Sequence, residues 1–127
     1  MTKLTEKRCV PCEGGTPPLD DAATSLLLGE VDGWRRADAP SSERAGKNEP
    51  RISKQFRFED FLGAMAFLNK MAAIAEAEGH HPDFCVHYNR VDVTLWTHSV
   101  GGLSENDFIV AAKVDAMLQK LSSGGAD

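Results

Sequence analysis

No block of basic residues runs anywhere in this 127-residue chain, and its formal charge is −5. A surface that grips phosphates needs clustered Lys and Arg, so direct nucleic-acid binding is not expected. Long apolar runs are missing as well. No stretch is suited to crossing a membrane, and the opening MTKLTEKRCVPC lacks the apolar core of a secretory signal. Cysteine is scarce: the three present are odd in number and have no framework spacing, which fits a reducing compartment. These absences predict a soluble, cytoplasmic protein. The length predicts one domain around one hydrophobic core.

What is present reads as alternating helices and hairpins. Residues 1–17, with KRCVPCEGGTPP, predict an irregular leader. Cys9-x-x-Cys12 has the spacing of half a zinc site or of a redox pair. With no second pair and no thioredoxin-like strand before it, it reads as structural or incidental, and a redox or partner-binding role stays open. Asp20 and Asp21 open a short helix, AATSLLLGEV, that stops at Gly33. WRRADA and RISKQFRF are strand candidates, joined by the polar loop PSSERAGKNEP. Ile52, Lys54, Phe56 and Phe58 share one face of the second.

EDFLGAMAFLNKMAAIAEAEG is the clearest helix, and Gly79 is its natural stop. Phe61, Leu62, Met65, Leu68, Ala72 and Ala75 form the expected core stripe. Phe67, Met71 and Ile74 widen the apolar face, which predicts a second subunit against it and hence a homodimer or homotetramer. DFCVHY and VDVTLWTH follow as strands joined at Asn89-Arg90, with Val91, Val93 and Leu95 on one face. Trp96, on the other, is a candidate anchor for another subunit. The last helix begins at Ser104, with Asp107 reaching back in an acidic capping box, and residues 122–127 read as a disordered tail. The order α-β-β-α-β-β-α predicts an α+β fold: a four-stranded antiparallel sheet with three helices on one face.

The chemistry-bearing feature is EAEGHHPDF. His80 and His81 stand together where the long helix stops, and Pro82 stiffens the backbone after them. His98 ends the last strand, and the three imidazoles converge if that strand end meets the helix end. Three His can hold zinc with an open position, but neighbours such as His80 and His81 diverge and are awkward ligands for one ion. Imidazole also titrates near neutrality, so one His can accept a proton while another donates one. Ordinary polar residues at a helix end remain the third reading.

The segment resembles the pterin-4a-carbinolamine dehydratase family. The family's pattern is an acidic residue, three positions, His-His-Pro, five positions, an aromatic, nine positions, His, and an Asp about nine further on. Here these are Glu76, His80, His81, Pro82, Tyr88, His98 and Asp107. YNRVDVTLWTH, GGLSENDF and KQFRFEDFLGAMAFLNKMA are similar to the family's flanks, so the likeness runs over residues 18–121. The PSSERAGKNEP loop is longer than in animal members, and Phe84 stands where those carry Trp.

The resemblance implies loss of water from a 4a-hydroxytetrahydropterin to give the quinonoid dihydropterin, in tetrahydropterin recycling, with no metal or redox cofactor. It implies His80 and His98 as acid and base in either order, and His81 as a substrate-binding residue. Glu76 and Asp107 would fix the His tautomers, and Pro82, Phe84 and Tyr88 would complete the surroundings. It also implies an alternative, since the same fold serves as a transcriptional dimerisation cofactor and, in another branch, as a Rubisco assembly factor.

Overall fold

The computed structural model describes residues 3–11, 17–40 and 46–124, the last four by their backbone alone. Its elements are α1 (Asp21–Leu28), β1 (Arg35–Pro40), β2 (Asn48–Arg57), α2 (Phe61–Glu78), β3 (Asp83–His87), β4 (Arg90–Leu95) and α3 (Glu105–Gly124). Two 3-10 turns, Leu4–Glu6 and His98–Val100, are added to the expected order. All strand pairs are antiparallel, in the order β1-β2-β4-β3. The α+β architecture expected from the alternation is therefore the one observed.

Period-two patterning decides which sheet face is covered. Ile52, Phe56, Val91, Val93 and Leu95 are buried and pack with Phe67, Leu68 and Met71 of α2 and Phe108, Ile109 and Val114 of α3. Lys54 lies on the same face and is satisfied there: its Nζ donates to Asp115 Oδ1 on α3 at 3.0 Å and to the Asp32 carbonyl at 2.7 Å. Trp34 Nε1 donates to the other Asp115 oxygen at 3.0 Å. Burial pushes the Asp115 carboxyl up from its ordinary range, against the opposing pull of Lys54.

Several expected boundaries move. The first helix is capped by Asp20, whose side chain accepts from Ala23 N–H, and it ends at Gly29 rather than Gly33. The hairpin loop is shorter than PSSERAGKNEP, because β1 continues to Pro40 and β2 begins at Asn48. Pro50 pairs with Asp38 of β1 and lies beyond the stretch of β2 that β4 pairs with, which begins at Ile52, so it interrupts no ladder with β4. Residues 41–45 of that loop, like Cys12, lie outside the described residues. α3 runs to Gly124, past the expected start of the tail. The leader carries a 3-10 turn whose Leu4 is buried in the core.

The long helix is rotated relative to the expectation. Its buried residues are Ala64, Phe67, Leu68, Met71 and Ala75, while Phe61 is 46 % and Leu62 76 % exposed. At 100° per residue, the core face is turned by roughly 80° from the Phe61–Met65–Ala72 stripe. Phe67 and Met71 thus belong to the chain's own core and do not mark a subunit contact. Among the described residues no helix is long and apolar enough to cross a membrane.

Candidate active site

Backbone geometry puts the first imidazole in place. α2 ends in a left-handed residue, Gly79 at φ +66°, and His80 N–H closes back on the Ala75 carbonyl at 3.2 Å while Gly79 N–H bonds the Glu76 carbonyl at 3.3 Å. This double closure is the Schellman arrangement, which glycine adopts without the steric cost a side chain would bring. It turns the chain sharply, and His80 lands opposite the start of α3.

There His80 Nε2 meets Asp107 Oδ1 at 2.6 Å. Asp107 is fully buried, and its other oxygen accepts from Thr97 Oγ1 at 2.8 Å and from Ser104 N–H at 2.9 Å. The Ser104 bond is the reaching-back half of the expected capping box. Ser104 Oγ turns to Thr97 Oγ1, at 2.7 Å. Thr97 has one proton and gives it to Asp107, so Ser104 is the donor to Thr97. Oδ2 of Asp107 thus accepts two bonds, and with the carboxylate ionised Oδ1 is an acceptor for His80 as well. In the neutral imidazole, Nε2 of His80 then carries the proton and Nδ1 keeps the lone pair.

His81 turns the other way, and its Nε2 lies 2.6 Å from Glu76 Oε1 in an exposed pair. His98 comes after the strand, since β4 stops at Leu95 and His98 opens a 3-10 turn. That turn is tied shut by Thr97 N–H to the Gly102 carbonyl at 2.7 Å, with Gly101 at φ +71° reversing the chain. Trp96 meets the His98 ring edge-on at 5.1 Å. Trp96 is itself held by Arg51, 4.2 Å above its ring, and by its Nε1 donating to Asp83 Oδ2 at 3.0 Å. It is a wall of the cleft.

His80, His81 and His98 line one open cleft of about 400 Å³, together with Trp96, Thr97, Ser99, Asn106, Val10 and Pro11. Asp107 supports it from beneath. Glu76, Pro82 and Phe84 line a smaller neighbouring groove of about 200 Å³, which shares His81 with the cleft and is otherwise walled by Leu68, Met71, Ala72 and Ala75 of α2. Tyr88 is not brought into either. It occupies the two-residue turn at the far end of the β3–β4 hairpin, at φ +53° and 66 % exposed. The five residues of β3 separate it from Pro82, roughly 17 Å at strand rise. Among the described residues no group of three or more His, Cys, Asp or Glu is arranged to hold a metal ion.

Sequence reasoning missed the contribution of the leader and of Asn106. Val10 and Pro11 carry no periodic signal, and a single Asn in a helix's first turn is unremarkable in composition. Cys9 is also resolved by the fold. Burial, then the nearby Glu78 carboxylate, push its thiol up to about 12. A thiol so raised stays protonated and unreactive at neutral pH, which argues against redox work by Cys9. Cys85 is exposed on β3. Labelling of the native protein with a maleimide, mapped by mass spectrometry, should therefore modify Cys85 well ahead of Cys9. Equal rates that persist below the unfolding transition would contradict the burial argument.

Residues 17–117 match the family described as pterin 4 alpha carbinolamine dehydratase. A relative from Rubrobacter xylanophilus, provisionally named for that activity, is 39 % identical over 117 residues, covering 92 % of this chain and all of the relative. One from Nitrosomonas eutropha, named the same way, is 45 % identical over 116 residues, covering 91 % and 93 %. Among solved structures, a transcriptional coactivator/pterin dehydratase from Brucella melitensis superposes with a TM-score of 0.68 at 36 % identity, covering 79 % of this chain and 97 % of that one. A pterin dehydratase-like protein identified as a RuBisCO assembly factor in the alpha-carboxysome gives 0.52 at 29 %, covering 67 % and 88 %.

Proposed function

Because the chain belongs to the pterin 4 alpha carbinolamine dehydratase family, we propose that it catalyses loss of water from a 4a-hydroxytetrahydropterin by histidine acid–base chemistry. The observation that carries this reading is the His80–Asp107 pair at the cleft, buried on the carboxylate side and with one imidazole nitrogen left for substrate. The reaction needs one proton removed from N5 and one delivered to the hydroxyl on carbon 4a. His80 Nδ1 takes the N5 proton, and the N–H electron pair becomes the second bond between N5 and carbon 4a. The C–O bond breaks, and the hydroxyl leaves as water with a proton from His98 in its charged form. Exchange with solvent restores both imidazoles. Asp107, fixed by Thr97 and Ser104, holds His80 in the basic tautomer and stabilises the imidazolium that forms. His81, paired with Glu76 and lining the same cleft, binds and orients the pterin.

In this assignment His80 is the base and His98 the acid, so the carboxylate contact ranks two roles that spacing alone leaves level. The recycling of a tetrahydropterin used by an aromatic hydroxylase is the setting such a reaction serves. The structural neighbours named for coactivation and for RuBisCO assembly show that the fold also hosts other roles. A purely scaffolding chain has no use for a carboxylate-oriented imidazole at a cleft. Purified protein mixed with chemically generated 4a-hydroxytetrahydropterin should accelerate formation of the quinonoid product, followed by absorbance, and should do so equally after prolonged EDTA treatment. A rate equal to the uncatalysed one would refute the proposal, and activity lost to EDTA and restored by zinc would replace imidazole chemistry by metal chemistry.

A further inference from the structure

Residues 8–11 are fastened across the gap between the end of α2 and the start of α3 by contacts outside the acid–base set. Cys9 N–H donates to Glu78 Oε1 at 2.8 Å, and Lys113 Nζ holds the other Glu78 oxygen at 2.5 Å. Val10 is gripped at both backbone groups by one side chain: its N–H donates to Asn106 Oδ1 at 3.1 Å, and Asn106 Nδ2 donates to its carbonyl at 2.6 Å. This is the pairing a neighbouring strand would make, supplied by a side chain that is 6 % exposed. Lys113 first, and then the Cys9 N–H, hold the Glu78 carboxyl below its ordinary range, so the clamp is charged at neutral pH.

The clamp has a consequence for the cleft. It presents Val10 and Pro11 to the same space that His80, His81 and His98 line. Val10 is 65 % exposed, an apolar side chain left at the lip of an otherwise polar site. A flat heteroaromatic ring needs hydrogen-bonding groups at its edge and an apolar surface against its face. The histidines supply the first, and Val10 with Pro11 supply the second.

We propose that the leader segment Cys9–Pro11 is a substrate-binding wall for the pterin ring, and that Glu78 and Asn106 are positioning residues that hold it there. The inference rests on the dehydratase reading and adds to it the segment that completes the site. Its role is in binding, so its loss weakens substrate capture without touching the proton transfers.

The test uses full-length protein with Glu78→Ala, Val10→Ala and the double variant. Glu78 touches no substrate, and Val10 is exposed, so a fold-level failure of one variant leaves the other informative. Each single variant should raise KM roughly five- to tenfold with kcat within about twofold of the parent. The double variant should be no worse than the worse single, since both remove one wall. An unchanged KM in both singles, a fall in kcat at constant KM, or fully additive effects would each overturn the proposal. Hydrogen exchange read with 7,8-dihydropterin separates this from the activity itself. If the ligand slows exchange at the Cys9 and Val10 amides while the parent protein fails to dehydrate, the wall stands and the dehydratase reading falls. If the parent dehydrates and those amides ignore the ligand, the wall falls and the reading stands.

Discussion

His80→Ala and His98→Ala should each lower the dehydration rate by roughly two or more orders of magnitude, the usual worth of a positioned acid or base. The expectation follows from the geometry of both groups. His80 is locked to a buried carboxylate at 2.6 Å, and no other imidazole stands where it could take over that contact. His98 is set on a short closed turn against Trp96. Neither belongs to the hydrophobic core. Asp107 keeps two donors, Thr97 and the Ser104 N–H, after His80 is removed, so the stability cost should stay at the roughly 1–3 kcal/mol of a lost buried hydrogen bond. Steady-state turnover beside a thermal melt checks both halves. If both variants keep parental turnover, the acid–base assignment is wrong.

Met71→Glu should have the largest effect on folding. Met71 is 1 % exposed between sheet and helix, and a carboxylate there has no partner. Losing the side chain's packing and burying a polar group together cost roughly 4 kcal/mol or more, a large part of a domain's whole stability. The melting temperature should fall by roughly 12 °C or more, or cooperative melting should vanish. Leu62→Glu is the matched control, because Leu62 is 76 % exposed on the same helix and should cost little. Circular dichroism melts of the two decide which face of α2 is the core. The reverse ranking would restore the stripe through Phe61 and Leu62.

That ranking also shows why the helix was legible as a helix and illegible in its rotation. α2 is apolar over most of its circumference, so two overlapping stripes satisfy the same period, and Leu68 and Ala75 belong to both. Ala64 is wholly buried, yet alanine is too small and too common on helix surfaces to mark a face. Strand patterning is less ambiguous: Val91, Val93 and Leu95 alternate with polar residues, and all three are buried. The second hairpin slipped by one residue for a local reason. The turn is Tyr88-Asn89, and Tyr88 takes a positive φ that no glycine or asparagine announces. The family pattern made Tyr88 a site candidate, whereas the turn sends it to the far end of the hairpin.

The candidate site divides along the same line. The histidines and carboxylates stood out because rare residue types held fixed spacings, and the fold gathers His80, His81 and His98 at one cleft with Asp107 behind them. Thr97 and Asn106 did not stand out, since their hydrogen bonds go to partners that only the folded backbone brings near, and Ser104 was legible as a helix start but not as a partner of Thr97. The leader was invisible for a stronger reason: an extended segment clamped by side chains has no periodicity at all.

The central claim is that this cleft receives a pterin, and a crystal structure of the protein with 7,8-dihydropterin tests it most directly. The account predicts the ring between Trp96 and the Val10–Pro11 segment, with N5 within hydrogen-bond reach of His80 Nδ1 and His98 beside carbon 4a. A dihydropterin ordered in the groove between Phe84 and Met71, away from His80 and His98, would contradict it.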